Sequence, residues 1–246
     1  MGVTRTEGPD AEIRPTFDET VESRHERLDA DEWRTIYVVG DVHGCRRELE
    51  RLLDRIDLAA DELAVFVGDL IRKGPDTEGV LELVRDRRNL KSVRGNNEAK
   101  YLRGETDLDL PPDLAAFVGR LPVAISWDGA LVVHGGVDPR RPLPDHDPVD
   151  LLNMRAPHAA DEYEGPLWYD EYEGPPRIFF GHTVHGRATE REHAVALDTG
   201  CVHGGDLTAY DCGAGEFVAV SACERYLDRS EDKIVSPEDG RDTVFR

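Results

Sequence analysis

The apolar positions of this chain fall into short runs that end at glycine. Thr35-Ile36-Tyr37-Val38-Val39 is a β-branched, continuous run stopping at Gly40, which predicts a buried strand. After the loop at 41–44, Leu49, Leu52, Leu53 and Ile56 recur at helical spacing. The same order of strand, loop and helix returns twice. A strand at 63–67 and a loop at 68–76 lead to a helix with Val80, Leu81, Leu83 and Val84 on its apolar face. A strand at 90–93 and a loop at Gly95 then lead to a helix near 98–102. Three such units in succession predict a parallel sheet packed on helices.

The second half has a different texture. Predicted strands at 123–127 and 130–133 flank Asp128-Gly129, a tight-hairpin signal. Further strands are expected at 177–180, 194–197, 207–211 and 217–220, forming a second, mostly antiparallel layer in the same domain. Residues 139–148, rich in proline and aspartate, read as an exposed loop. Residues 161–166 and 170–175 repeat one short phrase, Asp-Glu-Tyr-Glu-Gly-Pro, too brief to be a structural repeat. Residues 1–30 are polar without a clear period and read as a poorly ordered acidic leader. The folded domain is expected over 31–225, followed by a charged tail at 226–246.

Composition narrows the classes. In 246 residues, 39% hydrophobic, there is enough apolar material for one core. No apolar run approaches the roughly 20 residues of a membrane helix, and the first ten residues hold no signal region, so a cytoplasmic protein is expected. Acidic residues number 51 against 30 basic, a net charge of −21. That charge argues against a nucleic-acid polymer or a membrane surface as partner. The 30 basic residues include only four lysines, Lys73, Lys91, Lys100 and Lys233. An acidic excess with scarce lysine reads as halophilic, because carboxylates keep a surface hydrated while salt screens their repulsion; the plainer reading is an ordinary acidic cytosolic protein. Cys45, Cys201, Cys212 and Cys223 form no C-x-x-C pair, so neither a zinc knuckle nor a disulfide framework is indicated and buried free thiols are expected.

The candidate chemistry stands at strand ends. Gly40-Asp41-Val42-His43-Gly44, Gly68-Asp69, Gly95-Asn96-Asn97-Glu98, His134-Gly135-Gly136 and Gly181-His182-Thr183 each follow an apolar run. Asp, His and Asn are hard or borderline metal ligands, and glycine beside them lets the backbone turn sharply. A lone Gly-Asp is ordinarily a turn, and a lone buried histidine a hydrogen-bonded core residue. Five such motifs in one order are a different matter.

In these motifs the chain resembles the calcineurin-like metallophosphoesterases, in particular the phosphoprotein phosphatase branch and its diadenosine tetraphosphatase relatives. The resemblance runs from about residue 35 to 220 and includes G-D-V-H-G at 40–44, G-D-L-I-R-K-G-P-D at 68–76, R-G-N-N-E at 94–98, H-G-G at 134–136, G-H-T at 181–183 and D-T-G-C-V-x-G-G-x-L at 198–207. It implies an α/β fold of two sheets in a sandwich flanked by helices, with a metal site at the strand carboxyl ends. It also implies two divalent ions. Asp41 and His43 would hold the first, Asp69 would bridge, and Asn96, His134 and His182 would complete the set of ligands around the second. Manganese is the family's habit, and Fe or Zn²⁺ also suits these donors. A hydroxide shared by the two ions would attack phosphorus in line.

By the same resemblance Lys73, where the family usually has arginine, and Arg155 would clamp phosphate, with Arg94 a third candidate. Two positions depart from the pattern. The family's histidine, its presumed general acid, is Asn97 here, and the acidic residue that orients it is Arg72. A serine alkoxide leaving group benefits from protonation, whereas a nucleotide or phosphate needs little help. Arg72 could stabilise negative charge without giving a proton, and His185 or His203 could replace the acid, although each reads more simply as structural. The activity expected is a dinuclear-metal-dependent phosphoester hydrolase of the protein Ser/Thr phosphatase type, acting on a phosphoprotein. The alternatives are a bis(5'-nucleosyl)-tetraphosphate hydrolase, with a nucleotide phosphate substrate, and a metal-holding binding module without turnover. The sequence leaves the oligomeric state open.

Overall fold

A computed structural model of the chain describes residues 14–157 and 166–236. In chain order the strands are β1 (His25–Arg27), β2 (Thr35–Val39), β3 (Glu62–Phe66), β4 (Leu90–Ser92), β5 (Ala124–Trp127), β6 (Ala130–Val132), β7 (Arg177–Phe180), β8 (Thr189–Glu190), β9 (Ala194–Ala196), β10 (Asp206–Asp211) and β11 (Glu216–Ser221). The helices are α1 (Glu19–Glu22), α2 (Arg46–Arg55), α3 (Thr77–Asp86), α4 (Asn96–Leu102), α5 (Pro112–Arg120), α6 (Pro148–Asn153) and α7 (Trp168–Glu171). The strands form a five-stranded sheet, β11-β10-β2-β3-β4, and a six-stranded sheet, β1-β5-β6-β7-β9-β8.

Alternation along the strands builds four layers. Ile36 and Val38 of β2 and Leu63 and Val65 of β3 point between the sheets, against Ile125, Val132, Phe179 and Val195. Their neighbours Tyr37, Val39, Ala64 and Phe66 face outward onto Leu49 and Leu52 of α2, Val80, Leu81 and Val84 of α3, and Leu114 and Val118 of α5. On the other side, Leu131, Ile178 and Phe180 pack on Val21 of α1, Leu151 of α6, and Trp168 and Tyr169 of α7. Both faces of each sheet are therefore covered, as the continuous apolar runs require.

Four expectations from the sequence are corrected. The six-stranded sheet is mixed: β1/β5, β6/β7 and β7/β9 are parallel, while β5/β6 and β8/β9 are antiparallel. Parallel pairing needs a long crossover, and the segment between β6 and β7, carrying α6 and α7, supplies one. The last hairpin, β10 and β11, joins the first sheet, with β10 antiparallel to β2. Residues 14–30 of the expected leader are ordered: β1 adds to the sheet edge through His25↔Ala124, and Phe17 and Val21 are buried. Residues 1–13 lie outside the described residues. The expected tail also engages the fold, Val235 N–H donating to Val184 O at 2.8 Å; residues 237–246 lie outside the described residues.

The 139–148 loop holds a short 3-10 turn, Leu143–Asp145, and a buried histidine, His146, whose Nε2 accepts from Asp138 N at 2.8 Å. Of the free thiols, Cys45 and Cys201 are buried, Cys212 is half-buried and Cys223 is exposed. The first copy of the repeated phrase lies outside the described residues except for Pro166. Among the described residues no helix is long and apolar enough to cross a membrane.

Candidate metal centre

Parallel registers Val39↔Phe66, Phe66↔Ser92, Val132↔Phe179 and Phe180↔Ala196 bring strand carboxyl ends level within each sheet. The loops that follow open into one place. At Gly181, any Cβ would overlap Asp41 Oδ1, and at Gly95 it would overlap Asp69 Oδ1, so only glycine lets these loops close on the carboxylates. His43, Asp69, Arg72, Lys73 and His182 have positive φ, between 49° and 70°; among the described non-glycine residues only Asp57 shares that conformation. Strain of this kind is stored where surrounding structure over-determines it, here at the site.

All six expected metal donors converge. Asp41, Asp69 and His134 each offer an atom within 4.8 Å of the others, and all three are buried. His43 Nε2 stands 3.7 Å from Asp41 Oδ2 and 3.5 Å from Asp69 Oδ2. Asn96 Oδ1 lies 3.2 Å from His134 Nε2, and the His182 ring centroid 4.9 Å from that of His134. The hydrogen bonds at Nδ1 set the tautomers. His43 Nδ1–H donates to Ile71 O at 3.2 Å and His134 Nδ1–H to Val67 O at 2.8 Å, leaving both Nε2 lone pairs facing the carboxylates. His182 Nε2 is buried without a hydrogen-bond partner.

Electrostatics point the same way. Burial first, and then the Lys73 ammonium, push His43 down to about 3; burial likewise lowers His134 and His182. The lowering favours the neutral imidazole, the form that ligates a metal. Burial, with the charges of Asp198 and Asp69, raises Asp41 well above the carboxylate range. Burial also works against Asp69, but the imidazoles, Lys73 and the Asn97 amide outweigh it and hold its pKa below the ordinary value. A carboxylate cluster and an orphaned buried imidazole nitrogen fit divalent cations of borderline character.

The other candidates sort clearly. Lys73 Nζ donates to His43 Nε2 at 2.8 Å and Arg155 Nη2 lies 3.5 Å from His182 Nδ1, so both border the centre. Arg72 Nη1 donates to Asn97 Oδ1 at 2.8 Å, while the Asn97 side-chain amide donates to Asp69 Oδ2 and its N–H to Asp69 Oδ1 at 2.8 Å. The two departures from the family pattern thus touch each other and the central carboxylate. Arg94 instead donates to Gly119 O at 2.9 Å. His185 is excluded as an acid: it is buried, and its two nitrogens meet Thr183 O at 2.7 Å and Tyr169 Oη at 2.8 Å. His203 Nδ1 is tied to Leu227 O at 2.9 Å.

Two residues had no assigned role. Glu98, fully buried, accepts from the backbone N–H of Asp69 at 3.0 Å, Ile71 at 3.1 Å and Gly95 at 2.7 Å, lacing two site loops together. Burial and the Asp69 charge push it up to about 7. Asp198, also buried, accepts from Gly200 N at 3.0 Å and adds its field to Asp41. Both stood inside the quoted motifs, where their position beside the ligands was the available signal.

Known proteins share this arrangement in different degrees. Serine/threonine-protein phosphatase 1 of Salmonella typhimurium is 46% identical over 227 residues, covering 76% of this chain and 96% of its own. A bis(5'-nucleosyl)-tetraphosphatase of Oceanobacillus iheyensis, PrpE, is 25% identical over 236 residues, covering 78% and 94%. A crystal structure assigned as a diadenosine tetraphosphatase superposes with a TM-score of 0.73 at 30% identity, covering 81% of this chain and 98% of that one. The sequence profile of the calcineurin-like phosphoesterases matches residues 34–210, from the start of the first sheet to β10. The chain belongs to the calcineurin-like phosphoesterase family and is a metal-dependent phosphatase.

Proposed function

We propose that Asp41, His43, Asp69, Asn96, His134 and His182 hold two divalent ions, and that the chain hydrolyses phosphoanhydrides of the dinucleoside polyphosphate class faster than alkyl phosphoesters. Manganese is the first choice of ion by family resemblance; the carboxylate, amide and imidazole donors themselves suit manganese, iron or zinc alike. Such ions supply Lewis acidity to the phosphoryl oxygens and lower the pKa of water at the site.

The observation that carries the substrate preference is the Arg72–Asn97 pair, in contact at 2.8 Å. Neither side chain is an acid at neutral pH, and an arginine stays protonated throughout. Arg72 stabilises charge building on a departing oxygen but gives it no proton. A phosphate leaving group tolerates this, and a serine alkoxide does not. Lys73 and Arg155 add cationic charge against the phosphoryl oxygens, Lys73 as a point charge and Arg155 as a fork. Asn97 holds Asp69 in position through two hydrogen bonds.

A second reading, a phosphoprotein phosphatase, is favoured by the 46% identity to the Salmonella enzyme. The two part in one comparison: manganese-loaded protein assayed on a dinucleoside tetraphosphate and on a phosphoserine peptide. The tetraphosphate should be cleaved at least about 100-fold faster in kcat/KM, the low end of what a missing general acid is worth. Equal or faster cleavage of the phosphoserine peptide establishes the second reading.

A further inference from the structure

Outside the catalytic donors, three side chains distant in sequence also meet. Cys45, Glu48 and Cys201 each place a donor atom within 4.8 Å of the other two, at relative exposures of 0%, 0% and 1%. Cys45 precedes α2 at its N-cap position but makes no side-chain capping bond there. Cys201 opens the 3-10 turn Cys201–His203 that follows the Asp198 loop. Glu48 is oriented with care: its Oε1 accepts from Cys223 N at 2.8 Å and from the Tyr226 hydroxyl at 3.2 Å. Its Oε2, equally buried, has no hydrogen-bond partner. Burial opposes the charge, yet the Cys223 and Tyr226 bonds keep Glu48 below its ordinary pKa, so it is a carboxylate. A buried carboxylate oxygen without a hydrogen-bond partner is where a cation or a donor is called for.

We infer that Cys45, Glu48 and Cys201 form a thiophilic metal site separate from the catalytic centre, with the donor set of a zinc ion. Two sulfurs and a carboxylate oxygen are three of the four donors of a tetrahedral zinc site. Cys223 holds Glu48 through its backbone N–H, while its exposed thiol accepts from Arg51 Nη1 at 3.3 Å, so the fourth position is left to solvent. Loading is balanced as Zn²⁺ displacing one proton from each thiol it binds, with Glu48 entering as an anion. The bonded Cys223 amide and Tyr226 hydroxyl are the outer shell that fixes a carboxylate ligand. The ion would pin together three segments: the loop ending His43-Gly44-Cys45, the first turn of α2, and the turn after Asp198.

The catalytic donors contain no sulfur, which gives the test its selectivity. Co²⁺ added to the full-length, metal-stripped, reduced protein should produce a thiolate-to-cobalt charge-transfer band in the near ultraviolet, displaced by about one equivalent of Zn²⁺. Cys45→Ser or Cys201→Ser should remove most of that band. Glu48→Gln, which keeps the shape of the side chain, should weaken Zn²⁺ binding at least about tenfold, and Cys212→Ser should change neither. Glu48→Gln and the wild-type titration keep the test valid where a cysteine variant fails to fold. Absence of the band in wild type, its persistence in Cys45→Ser, unchanged Zn²⁺ affinity in Glu48→Gln, or a Cys45–Cys201 disulfide in the protein as isolated would each overturn the assignment.

Discussion

Changing Arg72→Asp and Asn97→His together should give the site an acid and raise phosphoserine hydrolysis selectively. A positioned general acid is worth about 10²–10⁴-fold, or roughly 3–5 kcal/mol of barrier. The lower end, about 100-fold, is expected, because the Asn97 side-chain bond to Asp69 is lost while the backbone bond at 2.8 Å survives. Both changes are needed. With Arg72 in contact at the next atom, an imidazole at position 97 would be driven toward its neutral form. An aspartate at position 72 beside Asn97 would add a carboxylate near Asp69 without an acid to orient. The assay is kcat/KM across phosphomonoesters of graded leaving-group pKa at saturating manganese. Wild type should show a steep dependence and the double variant a shallow one, with the dinucleoside tetraphosphate rate changed less than about threefold. A double variant that keeps its metals but leaves the phosphoserine rate unmoved would refute the reasoning.

Asp69→Asn should lower hydrolysis by at least about 1,000-fold and reduce bound manganese below the roughly two ions per chain expected of wild type, read by metal analysis; turnover within about tenfold would sink the two-ion assignment. The −21 charge predicts a melting temperature that rises between low and molar KCl, and a flat or falling one would count against a halophilic protein. His185 should make the fold acid-sensitive: burial lowers it to about 4, against about 6.5 when unfolded, so the unfolded chain gains the proton first. Stability from this group is complete above about pH 6.5 and declines by about 3 kcal/mol as pH falls to about 4, and His185→Gln should flatten that part of a urea-midpoint profile. An unaltered profile in the variant would show that another group sets it.

Much of this architecture was legible where local chemistry dictates it. The runs that became β2, β3 and β7 are continuously apolar over most of their length, buried on both faces and stopped by glycine, so the strands and the loops at their carboxyl ends could be placed from sequence. What decides strand partners is not local. Nothing within 207–220 says that this hairpin crosses back to β2, and nothing within 177–180 says that its neighbours run parallel to it. His25-Glu26-Arg27 was missed because an edge strand needs little apolar character: all three residues are polar, and Arg27 is exposed. The convergence of the proposed metal donors was readable because their motifs each carry glycine beside the donor. The contact between Arg72 and Asn97 was foreshadowed only as two simultaneous departures, and the gathering of Cys45 and Cys201 around Glu48 gave no spacing signal.

The docking of β1 bears on how the protein can be handled in the laboratory. A chain trimmed to begin at residue 31 would lose the strand that covers the β5 edge, along with Phe17 and Val21 from the core beneath it. The shortened product would present an unpaired β5 edge beside a newly opened apolar hollow, a combination that invites edge-to-edge association. Trimmed versions should therefore start no later than residue 14, and an affinity handle joined directly to β1 should reduce soluble yield more than one placed ahead of that point.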